Sequence, residues 1–181
     1  MKVEKTILDG VMIITPDIFK DQRGYFYESY SLKRYEQLGL PTFIQDNHST
    51  SIGKGVIRGI HFQIAPYSQS KLVRCTEGKI DDYVVDLRKS SKTYKKWIKV
   101  TLSEENSKQI FIPKGFGHAF ITRSDYCKIE YKVDEYYNKE SERSILWSDE
   151  EIGIDWELDS QPILSEKDKT APILARSDIN Y

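Results

Sequence analysis

Two short apolar runs carry the side chains of this chain that are best suited to chemistry. Between Gly55 and Arg74 the sequence places Arg58, His61 and Lys71 in or beside these runs, together with two glutamines. Surface strands usually alternate apolar and polar residues, whereas here polar groups of several kinds occupy positions that would face an interior. A histidine can exchange a proton near neutral pH, and a lysine supplies a positive charge. The stretch therefore predicts a site on rigid strands that either holds a metal or performs acid–base chemistry.

A second motif bears on that choice. Residues 113–118 read PKGFGH, the P-x-G-x-x-H spacing of the second cupin motif, and residues 55–61 resemble the start of the first. A metal-binding cupin would have another histidine two residues after His61 and a glutamate nearby, but Gln63 stands there and the next glutamate is Glu77. Because His61 and His118 alone are a poor ligand set for zinc, iron or manganese, we expect acid–base chemistry without a metal or cofactor.

Short strand-like runs recur along the chain with turn residues between them. A short helix is expected after Ser31 and before Gly39. Plain alternation would point Arg58 away from His61, and a β-bulge at Gly59 would bring both to one face. The pattern predicts one all-β domain over residues 1–181, a cupin jelly-roll barrel with a few short peripheral helices. The predicted strands lie near residues 11–15, 25–30, 43–51, 56–63, 79–88, 97–102, 109–112, 118–122 and 127–133, with another from residue 72.

The composition excludes several classes of protein. The chain has 181 residues and a net charge of −1, so we expect neither nucleic acid nor a membrane surface as a partner. No apolar run approaches the ~18 residues of a spanning helix, and Glu4 and Asp9 interrupt any signal-peptide core. Cys75 and Cys127 are interpreted as buried thiols of a reducing compartment. A cytoplasmic location is the resulting expectation.

A series of motifs, in order along nearly the whole chain, resembles one family, the dTDP-4-dehydrorhamnose 3,5-epimerases. These cupin enzymes epimerise nucleotide-linked 4-keto sugars, so the resemblance implies a cofactor-independent isomerase. The matching segments include FKDQRGYFYES (19–29), QDNHSTS (45–51), GVIRGIHFQIAPYSQSKLVR (55–74), VVDLRKSSKTYKKW (84–97), LSEENSKQIFIPKGFGHAF (102–120), YKVDEYYN (131–138), ILWSDEEIGIDW (145–156) and LSEKD (164–168).

The resemblance assigns four catalytic roles. Epimerisation beside a ketone needs a base, an acid on the opposite face and a positive group at the enolate oxygen. By resemblance, His61 removes the proton from carbon 3 or carbon 5, and Asp168 binds the other ring nitrogen to fix the tautomer. Lys71 would face the enolate oxygen, and Tyr131 would return a proton from the opposite face.

The same resemblance implies the substrate-binding residues and an assembly. Arg23 and Arg58 would bind the diphosphate, for which the guanidinium fork is suited, and Tyr137 could stack on a ring. The chain would form a homodimer through an exchanged N-terminal strand, so that Arg23 and Phe26 act in the neighbouring site. The further positions that match the pocket lining are Phe19, Phe26, Glu28, Gln45, Asn47 and His118.

The sugar and the nucleotide stay open. The substrate could be a dTDP-4-keto-6-deoxy sugar or a GDP-4-keto-heptose for capsule or O-antigen synthesis, inverted at one carbon or at two. Alternatives are a cupin 3,4-ketoisomerase and a non-catalytic sugar-nucleotide-binding protein. Residues 115–120 read GFGHAF where the family usually has GFAHGF, and Asp81 and Tyr83 replace apolar residues. We expect Ala119, Asp81 and Tyr83 near the pocket, where they would influence the choice of substrate.

Overall fold

Two antiparallel sheets face each other in the computed structural model, which describes residues 1–181. The six-stranded sheet contains, in spatial order, β1 (Lys2–Lys5), β2 (Met12–Thr15), β10 (Gln109–Ile112), β7 (Lys71–Glu77), β12 (Tyr126–Val133) and β5 (Gln45–Ile52). The five-stranded sheet contains β13 (Glu142–Ser144), β6 (Ile57–Gln63), β11 (Phe116–Thr122), β8 (Lys79–Asp86) and β9 (Trp97–Ser103). A separate hairpin joins β3 (Phe19–Asp21) to β4 (Gly24–Phe26).

The principal core fills the space between the sheets. Each strand points alternate side chains inward, and the inward positions are mostly Val, Ile, Leu and Phe, which are stabilised by removal from water. The two sheets do not close into one continuous barrel. This arrangement confirms the predicted all-β, cupin-type fold. Representative members of the core are Val73, Ile110 and Ile129 from one sheet and Ile80, Val84 and Phe120 from the other.

The outer faces of both sheets are also covered. The short helix α1 (Leu32–Glu36) places Tyr35 against Leu72 and Phe111 of the six-stranded sheet. The C-terminal segment covers the five-stranded sheet and includes the helix α2 (Glu166–Lys169). No helix in the chain is both long enough and apolar enough to cross a membrane.

Most predicted strands agree with the structure, and the differences involve the shortest elements. No strand is predicted between residues 15 and 25, yet β3 and β4 form a hairpin whose residues are exposed. The strand predicted near residues 25–30 ends at Phe26. The elements β1, β13 and α2 were not predicted. Strands and helices of three or four residues do not span enough of a hydrophobic period to be recognised from sequence.

The predicted bulge at Gly59 is confirmed. Arg58 pairs with Phe120 and His61 pairs with His118, so three steps along β6 match two steps along β11. Gly59 has a φ of +141°, and a Cβ atom there would lie 2.1 Å from the Cβ of Ala119, which only glycine avoids. Because of the bulge, Arg58 and His61 both reach toward the six-stranded sheet.

Candidate active site

A cavity of about 160 Å³ opens between the two sheets. His61 enters it from β6, Lys71 from β7 and Tyr131 from β12, so both sheets position the reactive groups. Three of the four predicted catalytic residues therefore line one cavity, with three of the predicted substrate-binding residues. The complete lining is Gln45, Asn47, His61, Phe62, Gln63, Gln69, Lys71, Tyr131, Tyr137 and Glu142.

Asp168 completes a histidine–aspartate pair from behind the cavity. The His61 Nε2 atom lies 2.5 Å from Asp168 Oδ1, across 107 residues of sequence. Ser165 caps α2: its hydroxyl accepts from the Asp168 backbone N–H at 3.1 Å and donates to Asp168 Oδ2 at 2.9 Å. Ile163 holds this segment to the start of β6 through backbone hydrogen bonds with Gly55 and Ile57. Both oxygens of the Asp168 carboxylate are thereby bound.

The charges of this pair suit a general base. Burial lowers the pKa of His61, and its hydrogen bond to Asp168 opposes the shift only in part, so the free imidazole is neutral at physiological pH. Burial alone would raise the pKa of Asp168, but its hydrogen bonds with His61 and Ser165 outweigh burial and lower that pKa. With Nε2 bound to an ionised carboxylate, Nδ1 is the ring nitrogen available to accept a proton.

Lys71 and Tyr131 lie side by side across the cavity from that ring. The Lys71 ammonium is 5.9 Å from the centroid of the Tyr131 ring and forms no ion pair. Burial lowers the pKa of Lys71 to about 8, against the opposing charges of Asp82 and Glu142. Burial also raises the pKa of Tyr131, so its phenol is protonated at neutral pH. The cavity thus combines a neutral base, a positive charge and a weak acid.

The predicted rim residues surround this group. The Arg58 guanidinium donates to the Ser51 hydroxyl at 3.1 Å and to the Thr50 carbonyl at 3.0 Å, and its charge acts on the Tyr131 phenol. The Gln45 amide donates to Asn47 Oδ1 at 2.8 Å on the cavity wall. At the mouth, the exposed Tyr137 ring is free to contact a flat ligand on one face.

His118 is placed below the cavity and does not line it. Its Nε2 atom lies 2.7 Å from Asp82 Oδ2, and only 10% of its side chain is exposed. A direct contact between His118 and a substrate therefore stays a prediction.

Four further predicted residues lie away from the chain's own cavity. Phe19 and Phe26 face each other across the β3–β4 hairpin and are 63% and 66% exposed. Arg23 at the turn pairs with Asp21 at 2.6 Å, and Glu28 pairs with Arg34 at 2.6 Å. None of the four lines the His61 cavity, so a role in catalysis requires another subunit.

Two further charged residues that sequence analysis missed stand at the site. Glu142 lines the cavity and forms an ion pair of 2.6 Å with Lys167, one residue before Asp168. Glu142 also accepts a hydrogen bond of 3.2 Å from the Tyr137 hydroxyl. Glu142 lies on a three-residue strand with no periodicity, and the only signal for Lys167 was its place in the LSEKD motif.

Gln63 has a structural role at the position where a metal-binding cupin has its second histidine. Its amide donates to the carbonyls of Tyr67 and Tyr136 at 2.6 and 3.2 Å and accepts from the Asn138 N–H at 2.8 Å. These bonds fasten the loop that carries Tyr137. No group of three or more His, Cys, Asp or Glu side chains is arranged to hold a metal ion, so the donor set does not fit one.

The expectation that Asp81, Tyr83 and Ala119 lie near the pocket is wrong. Asp81 pairs with Arg123 at 2.7 Å, and Tyr83 packs on Trp156 with ring centroids 4.7 Å apart, both on the outer face of the five-stranded sheet. Ala119 lies in the same outer cluster. Alternation along the strands explains the error. On β8 the inward residue is Asp82, between Asp81 and Tyr83, and on β11 it is His118, next to Ala119.

A larger depression, of about 330 Å³, lies on the outer face of the six-stranded sheet. Its charged groups already neutralise one another: Arg74 pairs with Glu130 at 2.5 Å, and Lys132 pairs with Asp46 at 2.6 Å. The smaller inter-sheet cavity, with its unpaired lysine and its phenol, is therefore the better candidate for catalysis.

The chain is similar to known proteins both in sequence and in structure. Residues 5–176 match the family model described as dTDP-4-dehydrorhamnose 3,5-epimerase. The chain is 49% identical over 176 residues to the dTDP-4-dehydrorhamnose 3,5-epimerase of Salmonella typhimurium, covering 96% of each chain. It is 36% identical to a dTDP-4-dehydrorhamnose 3-epimerase of Streptomyces niveus, covering 98% of this chain and 86% of that one.

A solved structure is similar over almost the whole fold. It is the dTDP-6-deoxy-D-glucose-3,5-epimerase of Legionella pneumophila in complex with dTDP-4-keto-L-rhamnose. The TM-score is 0.94 at 45% identity, and the match covers 98% of this chain and 94% of that one.

The two-sheet fold and the matched structures define a cupin-type epimerase of the isomerase class. More particularly, the chain belongs to the dTDP-4-dehydrorhamnose 3,5-epimerase family.

Proposed function

We propose that this protein inverts carbons 3 and 5 of a dTDP-4-keto-6-deoxy sugar by proton transfer, without a metal or cofactor. The observation that carries the proposal is the His61–Asp168 pair, which faces a cavity shared with Lys71 and Tyr131. The names of the relatives favour dTDP over GDP and two carbons over one, since the 3,5-epimerase from Salmonella is closer in sequence than the 3-epimerase from Streptomyces.

His61 is the proposed base. A hydrogen on the carbon beside a ketone is acidic because its removal gives an enolate whose charge rests on oxygen. The neutral imidazole accepts this proton, and the ionised Asp168 stabilises the resulting imidazolium and holds the ring orientation. The side chain of His61 is 30% exposed, which allows a ligand in the cavity to reach it.

Lys71 and Tyr131 are proposed to complete the reaction. The Lys71 ammonium stabilises the enolate oxygen, an interaction that strengthens as negative charge develops. The Tyr131 phenol then delivers a proton to the opposite face of the carbon, which inverts the configuration. Burial keeps that phenol protonated before transfer.

The remaining groups are proposed to hold the nucleotide sugar. Arg58 supplies a guanidinium at the rim for the diphosphate, and Gln45 and Asn47 offer amides along the wall. Tyr137 stacks on a ring at the mouth, and Glu142 with Lys167 binds sugar hydroxyls. His118 is kept as a proposed pocket residue that would contact the substrate from below.

We include a homodimer in the proposal. The β3–β4 hairpin pairs with neither main sheet and exposes Phe19 and Phe26 beside Arg23, so these groups are free to enter the cavity of a second copy. Glu28 follows the same hairpin. In the single chain β1 pairs with its own β2, and exchange of an N-terminal strand between subunits belongs to the proposal.

Mixed dimers test that assembly. Arg23→Ala and His61→Ala subunits are combined by co-expression with two tags, and the hybrid is purified. If Arg23 serves the neighbouring site, each hybrid has one intact site of two, and the purified hybrid keeps about half of wild-type activity. A hybrid as inactive as both parents, or a monomer in sedimentation analysis, would exclude the shared site.

The proposal also treats residues 1–181 as one domain and places the protein in the cytoplasm. The two cysteines are free and buried, which is compatible with a reducing compartment.

Solvent deuterium exchange tests the reaction. Incubation of the enzyme with a dTDP-4-keto-6-deoxy sugar in heavy water should label carbons 3 and 5, as observed by NMR. Label at carbon 3 alone would restrict the enzyme to one epimerisation, and a 3-keto product would identify a ketoisomerase instead. Binding without exchange would identify a sugar-nucleotide-binding protein, and exchange restricted to a GDP-4-keto-heptose would change the assigned nucleotide.

A further inference from the structure

A fully buried carboxylate below the cavity has no part in the mechanism above. Asp82 stands on β8 between the core residues Ile80 and Val84 by alternation, so its side chain points toward the six-stranded sheet. His118 donates from Nε2 to Asp82 Oδ2, whereas Oδ1 is buried and has no hydrogen-bond partner. Leaving a buried carboxylate oxygen unpaired costs free energy, so a compensating positive charge is expected nearby.

Lys71 is the unpaired positive charge on the facing sheet. Burial disfavours its charged form, and among the charges that raise its pKa Asp82 acts most strongly, ahead of Glu142. Lys167 acts in the opposite direction. The other titratable groups on the elements that face Lys71 are Tyr131, His61 and His118.

His118 is bound directly to Asp82. Burial raises the pKa of the Asp82 carboxyl, and the charge and hydrogen bond of His118 oppose that effect. The three residues form a row from β11 through β8 toward β7, in which each member favours the charged state of the next.

We propose that Asp82 is a positioning residue whose carboxylate, held by His118, keeps the Lys71 ammonium charged for the enolate oxygen. This inference rests on the proposed function, because it explains how Lys71 keeps the charge that the reaction needs. Asp82 itself touches no substrate. Without its negative charge, Lys71 would lose its proton at a lower pH and would stabilise the enolate less well.

The Asp82→Asn variant tests the coupling with a side chain of nearly the same shape. The Lys71 Cε resonance is titrated by NMR in ¹³C-lysine-labelled protein, with assignment by Lys71→Met. Loss of the opposite charge of Asp82 should lower the Lys71 midpoint by about one pH unit. The alkaline limb of kcat should move by the same amount, with kcat above the wild-type midpoint falling about tenfold.

Asp81→Asn is the matched control. Asp81 is the adjacent residue on the same strand, but it faces outward and pairs with Arg123, so its replacement should lower thermal stability without moving the Lys71 midpoint. An equal shift in both variants would mean that the effect is a general loss of structure, and it would overturn the proposal.

Reciprocity supplies a second test if Asp82→Asn does not fold. If Asp82 stabilises the Lys71 ammonium, Lys71→Met must raise the titration midpoint of the Asp82 carboxyl, measured from its ¹³Cγ resonance. Unchanged midpoints would overturn the coupling. Because neither titration needs turnover, a shifted Lys71 midpoint in a protein that exchanges no deuterium would refute the proposed function while supporting the coupling.

Discussion

The molecule contains two histidine–aspartate pairs that differ in their surroundings. His61 and Asp168 are 2.5 Å apart, and His118 and Asp82 are 2.7 Å apart, with the Nε2 nitrogen of each ring bound to a carboxylate. The His61 side chain is 30% exposed, whereas the His118 side chain is 10% exposed.

The two carboxylates differ as well. Ser165 binds the second oxygen of Asp168, whereas the second oxygen of Asp82 has no partner. A proton can be exchanged with a ligand only where the ligand reaches the ring, so the first pair is suited to proton transfer. The second pair is nearly buried below the cavity, so its main influence on the reaction is electrostatic. The same two residue types therefore serve different purposes because access and hydrogen-bond satisfaction differ.

Removal of the first histidine should have the largest effect. His61→Ala eliminates the base, and deuterium exchange into the sugar should fall by about 10⁴-fold, the upper range for a general base. Circular dichroism should show an intact fold, since the ring lines a cavity. His48→Ala is the control, because this third histidine lies exposed at 51% on the outer sheet face. Exchange near the wild-type rate in His61→Ala would show that His61 is not the base and that the first pair does not perform the proton transfer.

Removal of the partner carboxylate should have the next largest effect. Asp168→Asn leaves an amide that can no longer stabilise the imidazolium, and kcat should fall by about 10³-fold with little change in KM. Ser165→Ala is a graded comparison: it removes one hydrogen bond to Asp168 and the helix cap, so its loss of kcat should be much smaller. Equal losses would indicate that Asp168 acts mainly by holding α2 in place.

Removal of the acid should separate the two halves of the reaction. In Tyr131→Phe, His61 can still abstract and return a proton, so deuterium exchange should persist while formation of inverted product falls by about 100-fold. Product configuration by NMR distinguishes these quantities. Tyr126→Phe, at the exposed start of the same strand, should behave as wild type. Normal yield of inverted product in Tyr131→Phe would assign the acid elsewhere.

The smallest effect is the dependence of kcat/KM on pH. It involves both pairs, because His61 belongs to the first and the second is proposed to keep Lys71 charged. Activity should rise as His61 loses its proton, below the ordinary imidazole value because burial lowers its pKa. It should decline as pH passes about 8, where Lys71 loses its charge. In His61→Ala the residual activity should keep the alkaline limb and lose the acidic limb. If both limbs persist in His61→Ala, the acidic limb does not arise from the titration of His61.

The strand pattern and the spacing of the motifs made much of this architecture predictable. Alternation of apolar residues indicated the long strands, and Gly59 between Arg58 and His61 indicated the bulge. The failures were local: Asp81, Tyr83 and Ala119 were placed near the pocket because a strand has two faces, and sequence alone did not show which one each residue occupies. The elements β1, β3, β13 and α2 were too short to show a period.

By itself, the sequence determined the all-β class, the family and the proposed reactive residues, because these depend on periodicity and on motifs of fixed spacing. Only the tertiary structure decided which residues meet. It placed Glu142 and Lys167 at the site and showed that His118 binds Asp82. Contacts between residues distant in sequence depend on how the sheets pack and on where the C-terminal segment docks. That geometry makes one histidine–aspartate pair accessible to a ligand and leaves the other nearly buried.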